Sequence, residues 1–93
     1  MLEKTIEHKL KAAVKSMGGI AFKFTAPGIN GVPDRLILLP YGKLAFIELK
    51  APGKEMRPLQ EKRKRQLEQL GFLVYCIDSV IEIGGVLDEI QSS

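Results

Sequence analysis

Three ionisable residues interrupt what would otherwise be apolar strand sequence. Glu48 and Lys50 lie two residues apart in the run 44–51 (LAFIELKA), and Asp34 opens the preceding run 34–39 (DRLILL). Side chains alternate along a strand, so Glu48 and Lys50 share one face. The connection Pro40-Tyr41-Gly42-Lys43 is short and contains glycine, which predicts an antiparallel hairpin. Asp34 lies seven residues before Tyr41 and Glu48 six residues after Gly42, and this near-symmetry sets Asp34 roughly opposite Glu48 with Lys50 close by. Two neighbouring carboxylates repel, which raises the pKa of one unless a cation shares the site. Magnesium takes oxygen ligands and is commonly held by one or two carboxylates, water and substrate phosphate. Such an ion polarises a phosphate, acidifies water and stabilises a leaving oxygen. A lysine beside it can hold the attacking water or neutralise charge developing on phosphorus. The set suits metal-assisted phosphodiester hydrolysis. The same residues could also form a cross-strand salt bridge of little energetic weight.

The elements that must position these residues are legible around them. Leu2, Ile6, Leu10, Ala13, Val14 and Met17 recur at helical spacing, predicting a helix over 2–17 that Gly18-Gly19 stops. Residues 20–25 (IAFKFT) read as a strand and 26–33 (APGINGVP) as a loop. After the hairpin, 52–57 is a second loop. Pro58 then suits the first position of a helix reaching about Leu70, closed by Gly71. Residues 72–77 (FLVYCI) are nearly all apolar, predicting a central strand buried on both faces. Ser79 and Glu82 have capping-box spacing ahead of a last amphipathic helix carrying Val80, Ile83, Leu87 and Ile90, weakened by Gly84-Gly85. The expected order is αβββαβα, an α/β fold with a mixed sheet flanked by helices, in one domain over 1–93.

Composition narrows the partners. One cysteine (Cys76) and one histidine (His8) exclude a disulfide framework and Cys- or His-rich metal sites. No apolar run suits a membrane span, and the N-terminus does not read as a signal peptide, so an intracellular, cytoplasmic setting without a membrane partner is expected. Between Lys50 and Arg65 seven basic residues face two acidic ones, while the remainder of the chain holds seven basic and nine acidic. Such a cluster on a near-neutral body suits a phosphate-bearing surface, or equally a solvated helix face. Lys54, Arg57, Lys62, Arg63 and Arg65 are the candidate nucleic-acid contacts. The glycine-rich loop 27–32 would let a backbone approach closely, or is simply tight. Lys23 either joins the site face or points to water. His8 reads as surface and Cys76 as core. Aromatic residues are too few for a base-stacking platform, so backbone shape rather than sequence should govern binding.

Pro33-Asp34 followed by Glu48-Leu49-Lys50 resembles the PD-(D/E)xK nuclease signature. The flanks Gly31-Val32-Pro33-Asp34-Arg35, Glu48-Leu49-Lys50-Ala51-Pro52-Gly53 and Pro58-Leu59-Gln60 resemble the virus-type replication-repair nuclease (VRR-NUC) family, in its stand-alone phage and bacterial form. The resemblance implies a restriction-endonuclease-like fold. It implies a magnesium- or manganese-dependent DNA endonuclease with Asp34, Glu48 and the Leu49 carbonyl as metal ligands. Lys50 would be the catalytic lysine, and Gln60 would orient water or phosphate. A first-helix carboxylate would reach the metal through water; Glu3 and Glu7 share a face, and Glu7 is favoured because it lies a turn further in. Glu7 is also spaced to pair with Lys11. The resemblance further implies branched DNA such as four-way (Holliday) junctions, a homodimer, and a role in DNA repair in a phage or bacterial host. The alternatives are a monomeric flap or single-strand nuclease and a non-catalytic nucleic-acid-binding module.

Overall fold

The computed structural model describes residues 2–93. Its first helix, α1 (Glu3–Ser16), buries Ile6, Leu10 and Val14, spaced four apart on one face. Gly18, at φ 83°, turns the chain out of α1, and the Gly19 N–H returns to the Val14 carbonyl. Strands β1 (Ile20–Lys23), β2 (Arg35–Leu39) and β3 (Lys43–Leu49) follow as an antiparallel meander. The crossover helix α2 (Pro58–Gln69) then returns the chain to β4 (Leu73–Ile77), which pairs parallel to β3, and α3 (Glu82–Ser92) closes the fold. The sheet order is β1-β2-β3-β4. This is the expected αβββαβα mixed sheet.

Alternation gives the sheet two unlike faces. Ile37, Leu39, Ala45, Ile47, Leu49 and Ile77 point to one face and form the core with α1 and α3. Leu36, Phe46 and Glu48 point to the other, where α2 lies over the β3–β4 side. Between β1 and β3 that second face is left only partly covered.

Two local expectations are corrected. β4 is one of the two edge strands, opposite β1, and β3 is the one buried along most of its length. The apolar run of β4 is accounted for by helices on both sides of an edge rather than by central placement. Ser79 and Glu82 do not cap a helix at Ser79. Glu82 Oε1 accepts the Asp78 N–H at 3.2 Å, Ser79 Oγ accepts the Ile81 N–H at 3.3 Å, and α3 begins only at Glu82. The pair shapes the turn before the helix instead.

Gly19 is a close-approach glycine. A Cβ there would stand 2.3 Å from the Leu38 carbonyl oxygen, a backbone atom of β2 that cannot swing aside. Gly19→Ala is therefore expected to cost about 2 kcal/mol, the range for overpacking, seen as a lower urea midpoint at unchanged slope.

Candidate active site

The β2–β3 register pairs Arg35 with Ile47 and Leu36 with Phe46. One step further toward the open end of the hairpin, it sets Asp34 across from Glu48. Asp34 is tied into that place on two sides. Its carbonyl accepts the Phe24 N–H at 2.7 Å, and its Oδ2 accepts the Leu49 N–H at 2.9 Å. The second bond draws the Asp34 carboxylate against the backbone that joins Glu48 to Lys50.

Glu48 is 2% exposed, which is costly for a carboxylate unless its oxygens are satisfied. One is. Oε2 accepts Gln60 Nε2 at 2.6 Å and lies 3.3 Å from Lys50 Nζ. Gln60 is the buried residue of α2, and its amide has only one sensible orientation: Oε1 accepts the Arg57 N–H at 2.9 Å, so the NH2 faces the carboxylate. The other oxygen, Glu48 Oε1, is buried with no partner. Burial, and secondarily the Asp34 charge, push the Glu48 carboxyl above its usual range, against the opposing pull of Lys50. A buried carboxylate of raised pKa with one oxygen unsatisfied, beside a second carboxylate, is the donor set that a hard divalent cation satisfies. Among the described residues no group of three His, Cys, Asp or Glu side chains is placed to hold a metal. A cation here would thus have two carboxylates and complete its shell from backbone carbonyl, water and phosphate, as magnesium commonly does.

Glu7 is not brought to this pair. Its Oε1 lies 2.7 Å from Arg35 Nη2. Asp34 and Arg35 are successive, so their side chains leave opposite faces of the sheet, and Glu7 meets Arg35 on the α1 side. Glu3, one turn earlier, is exposed. Arg35 is a site-adjacent residue that sequence reasoning passed over. The available signal was a charged side chain at a core-facing position of β2, which demands a partner. Removing that partner strands a buried guanidinium, although the half-exposed Glu7 softens the effect. Glu7→Gln is expected to lower stability by about 1 kcal/mol with cleavage retained. Undiminished stability with lost cleavage would instead put Glu7 in the chemistry.

The basic candidates separate. Arg57 lines a recess of about 430 Å3 with Asn30, Gly31, Leu59 and Gln60, the last of which also reaches Glu48. Arg63 is half-buried; its Nε donates to the Asn30 carbonyl at 2.8 Å and clasps the 26–33 loop to α2. Lys62 and Arg65 are exposed on the side of α2 away from Gln60, and Lys54 is exposed in the 52–57 loop. Lys64 pairs with Glu68. Lys23 pairs with Arg35 across β1–β2 and so lies on the α1 face, not the site face. Cys76 is half-buried directly across from Glu48 on β4 rather than deep in the core.

No family model matches the chain. By structure, a solved VRR_NUC domain superposes with a TM-score of 0.86, covering 92% of this chain and 94% of that one at 24% identity. By sequence, "Putative nuclease p44" of Acyrthosiphon pisum secondary endosymbiont phage 1 is 48% identical over 77 residues, 83% of each chain. The fold is that of a VRR-NUC domain, and the chain belongs to the same family as this phage protein.

Proposed function

We propose that the protein is a divalent-metal-dependent endonuclease that hydrolyses DNA phosphodiester bonds, with branched DNA such as the four-way junction as its preferred substrate. The observation that carries the chemistry is the buried Glu48 with one oxygen fully engaged and the other without a partner, beside Asp34. Asp34, Glu48 Oε1 and the Leu49 carbonyl would hold magnesium or manganese. When bound, the ion supplies a polarised phosphate and an acidified water.

The remaining roles follow from the contacts. Gln60 grips Glu48 Oε2 and so leaves Oε1 for the cation. Lys50, whose side chain is 15% exposed, stands at the rim where a phosphate enters; its ammonium neutralises charge growing on the phosphoryl oxygens. Glu7 acts at one remove, holding Arg35 beside Asp34. Arg57, Lys54 and Arg63 on the site side, and Lys62 and Arg65 on the outer face of α2, serve as backbone contacts, making binding steeply salt-dependent. The VRR-NUC fold and the phage relative named as a nuclease support a nucleic-acid substrate; the branched substrate and a cytoplasmic setting in the host belong to the proposal itself.

A homodimer is part of the reading. Phe22, Ile29, Leu70 and Phe72 are all large, apolar and at least two-fifths exposed on the α2 side of the sheet. A second copy covering that surface would present two cleavage centres for two strands. The test is cleavage of labelled four-way, flap and straight duplex DNA side by side with magnesium, manganese or chelator, together with sedimentation. Paired cuts in the junction by a dimer are expected. Flap cutting by a monomer would overturn the junction preference, and DNA binding without cleavage in either metal would leave only a binding module.

A further inference from the structure

A second positive surface lies on the opposite side of the molecule from α2. Lys4, His8, Lys11 and Lys15 are spaced four, three and four apart on α1, within about 60° of arc and about 16 Å of length. All four are exposed, and the buried stripe of Ile6, Leu10 and Val14 faces the other way. The ion pairs among the described residues are Arg35–Glu7, Lys50–Glu48 and Lys64–Glu68, so none of these lysines is neutralised by a carboxylate contact. Glu7, the acid nearest the stripe, is occupied by Arg35.

The stripe has a direction. α1 runs antiparallel to β1, as the Gly19 N–H to Val14 bond at one end and the Glu7–Arg35 pair at the other require. Lys15 and Lys11 lie beside Gly19, Ile20 and Ala21, flanking with His8 a recess of about 470 Å3 between α1 and the edge strand β1. Lys4 lies toward the end where Lys23 pairs with Arg35, next in sequence to Asp34. The positive track therefore runs beside the β1 edge of the sheet, toward the end of the sheet at which Asp34 lies on the opposite face. It lies across the sheet from the basic groups of α2.

We propose that the outer face of α1 is a second DNA-backbone contact, which holds a duplex arm leaving the cleavage centre. The proposal rests on the nuclease reading and adds to it a surface outside the site. Positive surfaces on opposite faces of one sheet suit a substrate whose arms diverge, whereas a short straight duplex seated at α2 is served by α2 alone.

The test uses the full-length chain, with chelator present to prevent cleavage, a labelled four-way junction with long arms, and a short straight duplex. In Lys11→Gln/Lys15→Gln, junction affinity is expected to fall roughly tenfold at low salt, and the slope of log affinity against log salt to fall by nearly two. Affinity for the short duplex should change less than about twofold, because fewer released counterions are involved. With metal, the rate at saturating junction should be unchanged while the half-saturating concentration rises. Equal affinity and slope in variant and wild type on the junction would overturn the proposal while leaving the nuclease reading intact. An equal loss on the short duplex would overturn the diverging-arm assignment. Absence of DNA binding by the wild type would overturn both.

Discussion

Lys50→Ala is expected to lower the single-turnover rate of DNA cleavage by about a thousand-fold while leaving DNA affinity within a few-fold of wild type. The two effects separate because Lys50 is one cation at the rim of the carboxylate pair, whereas the backbone contacts are spread over the 52–57 loop, α2 and the Arg63-clasped loop. Its loss acts twice. The ammonium no longer meets charge developing on the phosphate. The Glu48 carboxyl also loses the one neighbour that pulls its pKa down, while burial and Asp34 continue to push it up. The residual activity should therefore shift to higher pH than that of the wild type. Lys50→Arg should not restore the rate, because a planar guanidinium on a longer stem does not place a compact charge at the same point. Equal cleavage by wild type and Lys50→Ala would remove Lys50 from the chemistry.

Glu48→Gln is expected to abolish both cleavage and the stabilisation of the fold by magnesium or manganese. The wild-type carboxyl binds its proton more tightly in the folded chain than in the unfolded one, since burial and Asp34 raise its pKa. The folded state then holds more protons than the unfolded state between the two pKa values. The contribution of this group to stability is therefore fully present below the unfolded value and is lost as pH rises through the folded one. A divalent cation reverses that loss by satisfying Oε1 and screening Asp34. Metal at a hundred times its dissociation constant stabilises by about 2.7 kcal/mol, a shift in Tm of ten degrees or more for a domain of this size. The shift should be large at pH 8 and shrink at pH 5, where protons compete for the same oxygen. In Glu48→Gln the metal-induced shift should vanish at both. Thermal unfolding with and without metal checks this independently of any DNA.

Much of this site was legible before any coordinates. Charged residues at fixed parity in apolar strands, joined by a four-residue turn, specify which face they share and which residues oppose each other. The register bears out the pairing of Asp34 with Glu48 within one step. Gln60 is singled out only by the resemblance that Pro58-Leu59-Gln60 carries, and its interior position is not legible in the sequence. Leu59 is two-fifths exposed and Leu70 largely so, and the glutamine between them in sequence is the residue turned inward. Its burial follows from a carboxylate that needs a donor, which is a long-range fact. The Glu7–Arg35 pair escaped for the same reason: periodicity places each residue on its own element but does not say which helix lies over which strand. The run FLVYCI misled because an apolar strand reads alike at the centre of a sheet and at an edge flanked by helices. Burial depends on what covers a strand as well as on its own sequence.

The most direct test of the central claim, that Glu48 Oε1 and Asp34 share a divalent cation, is the anomalous scattering map of crystals soaked in manganese. The expected result is a peak about 2.1 Å from Glu48 Oε1, within bonding distance of an Asp34 carboxylate oxygen and the Leu49 carbonyl, and absent from Glu48→Gln crystals. A manganese-loaded crystal with no peak between these carboxylates, or with the ion bound elsewhere while DNA is still cut, would contradict it.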